Sequence, residues 1–316
     1  MADSQSREPN RLLQLGTHEL VLRLHVRVLG CVLLLAAMAA SCDSKTANEW
    51  PFARFGVDVG DVPATAAQLD ELGPVWYMDY HWDTPTLAAH GRLFIVHCNQ
   101  LEPNAQRIGK AMQAGGASWW SLGNEPNDPN QDNVTPEEYA ALYHQFESLA
   151  DEAPQCRLVP AGLGNADWRW AAEFRQIFER KYGHYPKVYA WNIHDYMLEA
   201  HLDPYDVDVF KHRIVEFRHW MESIGDGHKP LLLSEFGVLY GSGCCNRPVD
   251  PPEKIREFMQ DTTTWLVESN TVAAWAWFAS DARPYNGSLF DTEGRLNELG
   301  ALYRDLAQAA GERGER

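Results

Sequence analysis

Short apolar runs of strand length alternate with longer amphipathic stretches along the chain beyond residue 50. Runs such as Leu-Phe-Ile-Val at 93–96 and Leu-Leu-Leu at 231–233 are apolar at consecutive positions rather than at alternate ones. Strands of a parallel sheet that is covered on both faces show this continuous pattern. We predict eight strands, over residues 52–59, 75–80, 93–98, 119–123, 157–161, 188–194, 230–235 and 272–278.

The stretches between these runs have the periodicity of helices that bury one face. One of them begins with Thr135 and Pro136, and Glu138 follows three residues after the threonine. This is the sequence of a capping box with proline in the first turn. Helices are predicted over residues 63–72, 135–150, 167–182, 207–224, 252–268 and 297–309.

Eight strands that alternate with helices predict a single-domain (β/α)8 TIM barrel over residues 52–310, because such barrels typically occupy about 250 residues. An open doubly wound sheet is the alternative. It would usually carry a glycine-rich phosphate turn, and the sequence contains no Gly-x-Gly-x-x-Gly pattern. Residues 311–316 are interpreted as a tail.

The N-terminal residues have the pattern of an export signal. Arg23 and Arg27 precede the apolar run 28–40, which leads into small residues. A basic region, an apolar core of about a dozen residues and a small-residue cleavage site are typical of secretory signals. The run is also shorter than the about 20 residues that span a membrane. We predict a signal peptide over residues 1–42, a short linker over 43–51, and export to the cell envelope or secretion.

Small residues directly before Cys42 resemble a bacterial lipoprotein signal, in which this cysteine would carry the lipid and attach the protein to a membrane. Ala39 stands where that motif usually has leucine. Ordinary cleavage without lipidation is therefore the alternative.

Composition narrows the class of partner. The 316 residues carry a net charge of −17 and include 12 Trp and 12 Tyr. Phosphate binding requires basic surface, so the charge argues against nucleic acid and also against polyanionic glycans. The aromatic residues are typical either of a large core or of a pocket in which sugar rings stack on indoles. A neutral polysaccharide fits both observations.

The cysteines and histidines predict no metal site and no cofactor. The sequence has no Cys-x-x-Cys or His-Glu-x-x-His pattern. Export would permit disulfides among Cys98, Cys156, Cys244 and Cys245, and their spacing leaves the pairing open.

Two glutamates follow strand-like runs in similar contexts. Glu125 lies in Ser-Leu-Gly-Asn-Glu-Pro and Glu235 in Leu-Leu-Leu-Ser-Glu-Phe-Gly, and they end the fourth and seventh predicted strands. Active sites of (β/α)8 barrels lie at the C-terminal ends of the strands, so both carboxyl groups are expected at the barrel mouth. Cleavage of a glycosidic bond with retention needs one proton donor and one nucleophile, about 5–5.5 Å apart.

Five strings carry a resemblance to a known family, at residues 123–126, 191–196, 233–237, 274–278 and 288–300. They read Gly-Asn-Glu-Pro, Trp-Asn-Ile-His-Asp-Tyr, Leu-Ser-Glu-Phe-Gly, Ala-Trp-Ala-Trp-Phe and Ser-Leu-Phe-Asp-Thr-Glu-Gly-Arg-Leu-Asn-Glu-Leu-Gly. The chain resembles clan A of the glycoside hydrolases, retaining barrels with glutamates on strands four and seven. Within that clan it is similar to the glycosyl-hydrolase catalytic-core family, which includes fungal cell-wall proteins and endo-β-1,3-glucanases. The similarity covers most of residues 52–308.

The resemblance implies that Glu125 is the acid/base and Glu235 the nucleophile. Asn124 would form a hydrogen bond with the sugar 2-hydroxyl, a contact that strengthens in the transition state.

Strands six and eight would supply the remaining substrate contacts. Tyr196 would hold the carboxylate of the nucleophile, and His194 would meet substrate hydroxyls. Trp277 would form the floor of the subsite for the cleaved sugar, with Trp275, which has the same parity, as the alternative. The ends of strands two and three match no specific motif, although negative-subsite contacts are expected there; they carry Asp79, Tyr80, His81, Trp82, His97 and Asn99.

The sequence thus predicts an exported, monomeric, retaining glycoside hydrolase that cleaves a neutral β-linked polysaccharide by double displacement. An endo-β-1,3-glucanase is the first choice because of the resemblance. A β-mannan, xylan or β-1,4-glucan hydrolase or a transglycosylase would use the same intermediate. A non-catalytic carbohydrate-binding lipoprotein is the alternative from another class, although such a protein has no need for the glutamate pair.

Overall fold

Eight parallel strands form the centre of the computed structural model, which describes residues 50–60, 64–87, 89–115, 118–199, 201–239 and 252–314. They are β1 (Phe55–Asp58), β2 (Trp76–Asp79), β3 (Arg92–Val96), β4 (Ser118–Asn124), β5 (Cys156–Gly162), β6 (Trp191–Asp195), β7 (Leu231–Gly237) and β8 (Ala274–Phe278). The predicted signal peptide with Cys42, most of the predicted linker and the Cys244-Cys245 pair lie outside the described residues.

The strands pair in the order β5-β4-β3-β2-β1-β8-β7-β6. The two ends of this sheet meet, because Leu163 directly after β5 forms a parallel bridge with Ile193 of β6. The N–H of His194 also donates to the carbonyl of Leu163 at 2.9 Å. The sheet therefore curls into a barrel, which confirms the single-domain (β/α)8 fold.

Seven helices surround the strands in the described part of the chain: α1 (Ala66–Leu72), α2 (Cys98–Ala114), α3 (Pro136–Asp151), α4 (Trp168–Tyr182), α5 (Val207–Ser223), α6 (Pro252–Ser269) and α7 (Glu298–Gly314). Six of them match predicted helices. Helix α2 is not among the predictions, and Pro103 inside it is a residue that normally ends a helical pattern. None of the helices described is both long and apolar enough to span a membrane.

The predicted capping box begins α3. The Thr135 hydroxyl accepts a hydrogen bond from the N–H of Glu138 at 3.3 Å, and Oε2 of Glu138 accepts from the N–H of Thr135 at 3.0 Å. Pro136 occupies the first turn, where no intrahelical donor is needed. This start fixes where the loop after β4 ends.

Strand side chains alternate between the barrel interior and the layer between barrel and helices. In β8, Ala274 and Ala276 pack inside the barrel, whereas Trp275 and Trp277 pack in the helix layer. The two described cysteines, Cys98 and Cys156, are buried free thiols. No disulfide among described residues therefore contributes to the fold.

Candidate active site

Glu125 and Glu235 line one cleft at the C-terminal end of the barrel. Only 7% of Glu125 and 5% of Glu235 are exposed to solvent. One carboxylate oxygen of each and a ring nitrogen of His194 all lie within 4.8 Å of one another. The fold thus brings together two acids that are separated by more than a hundred residues in the sequence.

An irregularity in β7 lets two consecutive residues contact the same histidine. Ile193 of β6 pairs with Leu233, but the next residue, His194, pairs with Glu235, so β7 contains one extra residue here. A β-bulge of this kind changes the direction of side chains. As a result, the Ser234 hydroxyl lies 2.9 Å from Nε2 of His194, and Oε2 of Glu235 lies 3.5 Å from its Nδ1.

The loop after β4 holds Glu125. Its φ of +42° lies in the left-handed region, which is uncommon for a residue other than glycine. Its N–H donates to the carbonyl of Gly162 at 2.9 Å. The side chain of Asn127 donates to the carbonyl of Gly164 at 2.9 Å and accepts from its N–H at 3.0 Å. The loops after β4 and β5 are thereby tied together beside the carboxyl group.

His194 lies between the two carboxylates and is 1% exposed. Its Nδ1 is 3.1 Å from Oε1 of Glu125 and donates a hydrogen bond to that oxygen. Burial lowers the pKa of this imidazole, but the charge of Glu235 and the hydrogen bond to Glu125 outweigh burial and raise the pKa above 6.5. Both ring nitrogens contact protein groups in the structure, and the contact of His194 with substrate hydroxyls stays a prediction. His194 is a positioning residue for the acids.

Gly162 is required for this arrangement. A Cβ added there would lie 2.0 Å from Nε2 of His194, closer than any real contact. We expect Gly162→Ala to displace the imidazole and to lower kcat/KM on the substrate by about a hundredfold or more, because small displacements of positioned groups have effects of that size.

Gly311→Ala is the matched control, since a Cβ at Gly311 has nothing within 4 Å. It should leave kcat/KM unchanged. The melting temperatures of both variants show whether each remains folded. Wild-type kcat/KM in folded Gly162→Ala would contradict this account of His194.

Both oxygens of Glu235 accept a hydrogen bond from a tyrosine. The Tyr80 hydroxyl donates to Oε1, and the Tyr196 hydroxyl donates to Oε2 at 3.0 Å. Burial, reinforced by the charge of Glu235, raises the pKa of both phenols well above 10.0, so both remain donors. Burial also raises the pKa of Glu235 above 4.5, while His194 and the two hydroxyls act in the opposite direction. Tyr196 thus lies where the sequence predicts it.

Removal of either phenol should shift the acidic limb of the pH profile. The hydroxyls lower the pKa of Glu235 by stabilising its carboxylate, so their loss raises that pKa further. If ionised Glu235 is the nucleophile, kcat/KM falls as the pH drops through this pKa. We expect the limb of Tyr80→Phe and Tyr196→Phe at higher pH than in the wild type, with kcat/KM reduced by roughly ten- to a hundredfold.

Tyr285→Phe is the control for this prediction. Tyr285 lines the same cleft, but its ring lies beside Phe278 rather than beside Glu235. Its acidic limb should coincide with that of the wild type. Coincident limbs in all three variants would show that the phenols do not tune Glu235.

Tyr80 is the residue of the site whose role the sequence does not reveal. Its ring stacks on His97 with centroids 5.1 Å apart. Nδ1 of His97 donates to Asp132 at 2.8 Å, and Asp132 also accepts from the N–H of Asn124 at 2.7 Å. Asp132 therefore positions both Asn124 and the histidine beneath Tyr80. The only signal in the sequence is the place of Tyr80 at the end of strand two.

The cleft has a volume of about 1200 Å³, which exceeds the about 300–1000 Å³ of sites for small ligands. Asn124 and Tyr196 lie on its wall as predicted. The lining residues are Gly60, Tyr80, His97, Asn124, Glu125, Asp128, Asn130, Gln131, Gly164, Asn165, Tyr196, Leu198, Glu199, Glu235, Leu239, Phe278, Asp281, Ala282, Arg283, Pro284 and Tyr285.

The prediction that Trp277 or Trp275 forms the floor of a subsite is wrong. Both indoles are fully buried in the helix layer, and Nε1 of Trp277 donates to the carbonyl of Gly287 at 2.8 Å. Side chains along a strand alternate between its two faces, and in β8 it is Ala274 and Ala276 that face the barrel interior. Phe278, the next residue, lines the cleft instead.

The protein-family comparison matches residues 64–303 to the model described as the glycosyl hydrolase catalytic core. This match spans more than half of the chain. The chain belongs to the glycosyl hydrolase catalytic core family. The similarity predicted from the five strings is thereby confirmed, and the protein is a glycoside hydrolase by family. The comparison with curated proteins found no match.

Several solved structures share the fold of this glycosyl hydrolase. A GH128 (subgroup II) endo-β-1,3-glucanase from Sorangium cellulosum has 21% identity and a TM-score of 0.63, over 80% of this chain and 98% of its own. A GH128 (subgroup I) endo-β-1,3-glucanase from Amycolatopsis mediterranei, in complex with laminaritriose, has 18% identity and a TM-score of 0.59, over 80% and 99%. A GH128 (subgroup III) curdlan-specific exo-β-1,3-glucanase from Blastomyces gilchristii has 19% identity and a TM-score of 0.61, over 79% of this chain and 97% of its own.

Proposed function

We propose that the protein is a retaining endo-β-1,3-glucanase of clan A with Glu235 as nucleophile and Glu125 as acid/base. The observation that carries the proposal is that one carboxylate oxygen of Glu125 lies within 4.8 Å of one of Glu235 in a single cleft. Inverting glycosidases keep their carboxyl groups about 6.5–9.5 Å apart to hold a water between them, whereas retaining enzymes keep them about 5–5.5 Å apart. The short separation supports direct attack by a carboxylate.

In the first step, a carboxylate oxygen of Glu235 attacks the anomeric carbon and forms a covalent ester with the sugar. The bond from that carbon to the leaving oxygen breaks, and Glu125 gives its proton to this oxygen. The N–H of His194 occupies Oε1 of Glu125. Oε2 is therefore the oxygen that carries the proton.

In the second step, the ionised Glu125 removes a proton from water while the water oxygen attacks the anomeric carbon. The ester bond breaks and Glu235 regains its carboxylate, so the product has the configuration of the substrate. The hydroxyls of Tyr80 and Tyr196 favour the ionised form of Glu235 at the end of this step. The N–H of His194 lies between the two carboxyl groups and stabilises both of them in this buried site.

The assignment of a β-1,3-glucan as substrate is supported by the family and by the neighbours that share the fold. A glucanase from Amycolatopsis mediterranei was solved with laminaritriose, and two variants of it were solved with laminaripentaose and laminarihexaose. In this chain the cleft is lined by Glu199, Asp128 and Asp281 as well as by the catalytic pair, with Arg283 as its basic residue. Such a lining repels anionic glycans and favours a neutral one.

Product analysis on matched polysaccharides tests this function. We expect release of oligosaccharides of several lengths from a soluble β-1,3-glucan, and at least about tenfold lower kcat/KM on β-1,4-glucan, β-mannan and β-xylan. Release of glucose alone would contradict endo action. A preference for mannan or xylan would contradict the substrate assignment and leave the catalytic pair unaffected.

We further propose that residues 1–42 direct export and that Cys42 becomes the lipidated first residue of a cell-envelope protein. The basis is the charge and hydropathy pattern of this segment. The mass of the mature protein tests the proposal, since a diacylated Cys42 is heavier than the unmodified residue. In addition, the Cys42→Ala protein should no longer be found in the membrane fraction. A mature protein that retains residue 1 would contradict it.

A further inference from the structure

A second cluster of metal-binding side chains lies away from the cleft. His144 and Glu147 lie three residues apart in the second half of α3, and His184 follows the end of α4. One ligand atom of each lies within 4.8 Å of the others. The neighbouring Lys187 precedes β6, so the cluster lies at the end of the barrel where strands begin, opposite the catalytic glutamates.

The hydrogen bonds of the cluster leave one lone pair on His184 and an unoccupied oxygen on Glu147. Nδ1 of His184 is 2.9 Å from the carbonyl of Tyr185, so it carries the proton and Nε2 carries the lone pair. Oε1 of the buried Glu147 accepts from the N–H of Lys187, which leaves Oε2. In metal sites, a ligating histidine typically donates its other ring N–H to a protein oxygen, and a ligating carboxylate accepts a further hydrogen bond, as His184 and Glu147 do here.

His144 would supply the third lone pair from Nδ1, with its proton on Nε2. Its Nδ1 is buried and has no hydrogen-bond partner. It lies 3.6 Å from Oε2 of Glu147, which is too long for a hydrogen bond. Two ligands of a tetrahedral Zn²⁺, each 2.0–2.1 Å from the metal, are about 3.4 Å apart. The observed separation is therefore close to that of two zinc ligands.

We propose that His144, Glu147 and His184 bind a divalent transition-metal ion, with Zn²⁺ as the best fit. Two imidazoles and one carboxylate with a water in the fourth position form a common zinc set. The ring of His144 is already held by stacking on Tyr182 with centroids 3.7 Å apart. The ion would join α3 to the segment that leads into β6, a structural clamp that is independent of the proposed glucanase activity.

The sequence patterns miss this set, because it contains no His-Glu-x-x-His motif and its third ligand comes from another helix end. The catalytic cluster of Glu125, His194 and Glu235 could also hold a metal ion. A test must therefore separate the two places.

Zn²⁺ titration by calorimetry on untagged protein, in the Glu235→Gln background, provides the test. We expect one Zn²⁺ per chain and a rise in melting temperature with Zn²⁺. His184→Ala should weaken Zn²⁺ binding by about tenfold or more, since even the loss of an outer contact costs about 10- to 100-fold. In protein that keeps the native Glu235, the single substitution His184→Ala should retain full glucanase activity in the absence of metal. This result would verify that the variant is folded.

His212→Ala is the matched control. His212 and Glu216 also form a histidine–glutamate pair 3.6 Å apart on one helix, but this pair is not part of a three-residue cluster among the described residues. Its loss should leave the Zn²⁺ affinity unchanged. Co²⁺ in place of Zn²⁺ should give the intense visible absorption of tetrahedral coordination, and His184→Ala should lose it. No binding of Zn²⁺, or equal affinity in His184→Ala and its parent, would overturn the proposal.

Discussion

Glu235→Gln is expected to abolish hydrolysis of a β-1,3-glucan, with kcat reduced by roughly 10⁴-fold or more. Removal of a nucleophile leaves only the stabilisation provided by the rest of the site, and measured losses of nucleophiles in other hydrolases reach about 10⁶-fold. The glutamine amide can accept a hydrogen bond from one of the hydroxyls of Tyr80 and Tyr196 through its oxygen and donate its NH2 to the other hydroxyl, so the variant should fold and bind substrate. The loss should therefore appear in kcat rather than in KM.

Glu199→Gln is the matched control for this loss. Glu199 is another acid on the wall of the same cleft, paired with Arg213 at 2.6 Å. The substitution removes the same charge, and we expect kcat to stay within about tenfold of the wild type. Comparable losses in both variants would mean that the cleft needs negative charge and that Glu235 has no special role.

The second large effect is expected for Glu125→Gln, and its size should depend on the leaving group. A general acid contributes about 10²- to 10⁴-fold when the leaving oxygen is a poor leaving group. Formation of the ester from an aryl β-glucoside or aryl laminaribioside needs little protonation, so this step should remain fast. The variant should then accumulate the glycosyl-enzyme, because the second step also lacks its base.

Azide distinguishes the two glutamates. It attacks without a base, so it should restore turnover of the aryl substrate by Glu125→Gln and yield the β-glycosyl azide. In Glu235→Gln, any azide product should have the α configuration, since a single displacement inverts the anomeric carbon. The reverse pattern would exchange the assigned roles, and the absence of any rescue in Glu125→Gln would contradict its role as acid/base.

The fold is predictable from the sequence because the buried strands are apolar at consecutive positions. The runs from Leu231 to Leu233 and from Leu93 to Val96 can be identified as strands without knowledge of their neighbours. The ends are less well determined. Glu125 follows β4 with a left-handed φ, and Glu235 lies inside β7, because a tight turn and a bulge are set by contacts with Gly162 and His194 rather than by local pattern.

The parts of the site that depend on pairing across the barrel are harder to predict. Consecutive apolar residues on β8 do not reveal which face each indole takes. The sequence therefore predicts Trp277 in the cleft, whereas Phe278 lines it. Tyr80 contacts a residue 155 positions away. His194 shows the same difficulty, because its two nitrogens are occupied by Glu125 and Ser234, each on a different strand or loop.

Glu235 and Glu125 are proposed to cleave the glycosidic bond by double displacement, as nucleophile and as acid/base. Proton NMR of the anomeric signals during the first minutes of β-1,3-glucan hydrolysis tests this mechanism most directly, before mutarotation mixes the products. The separation of at most 4.8 Å between their oxygens predicts that the β-anomer appears first. Initial release of the α-anomer would contradict the double-displacement mechanism.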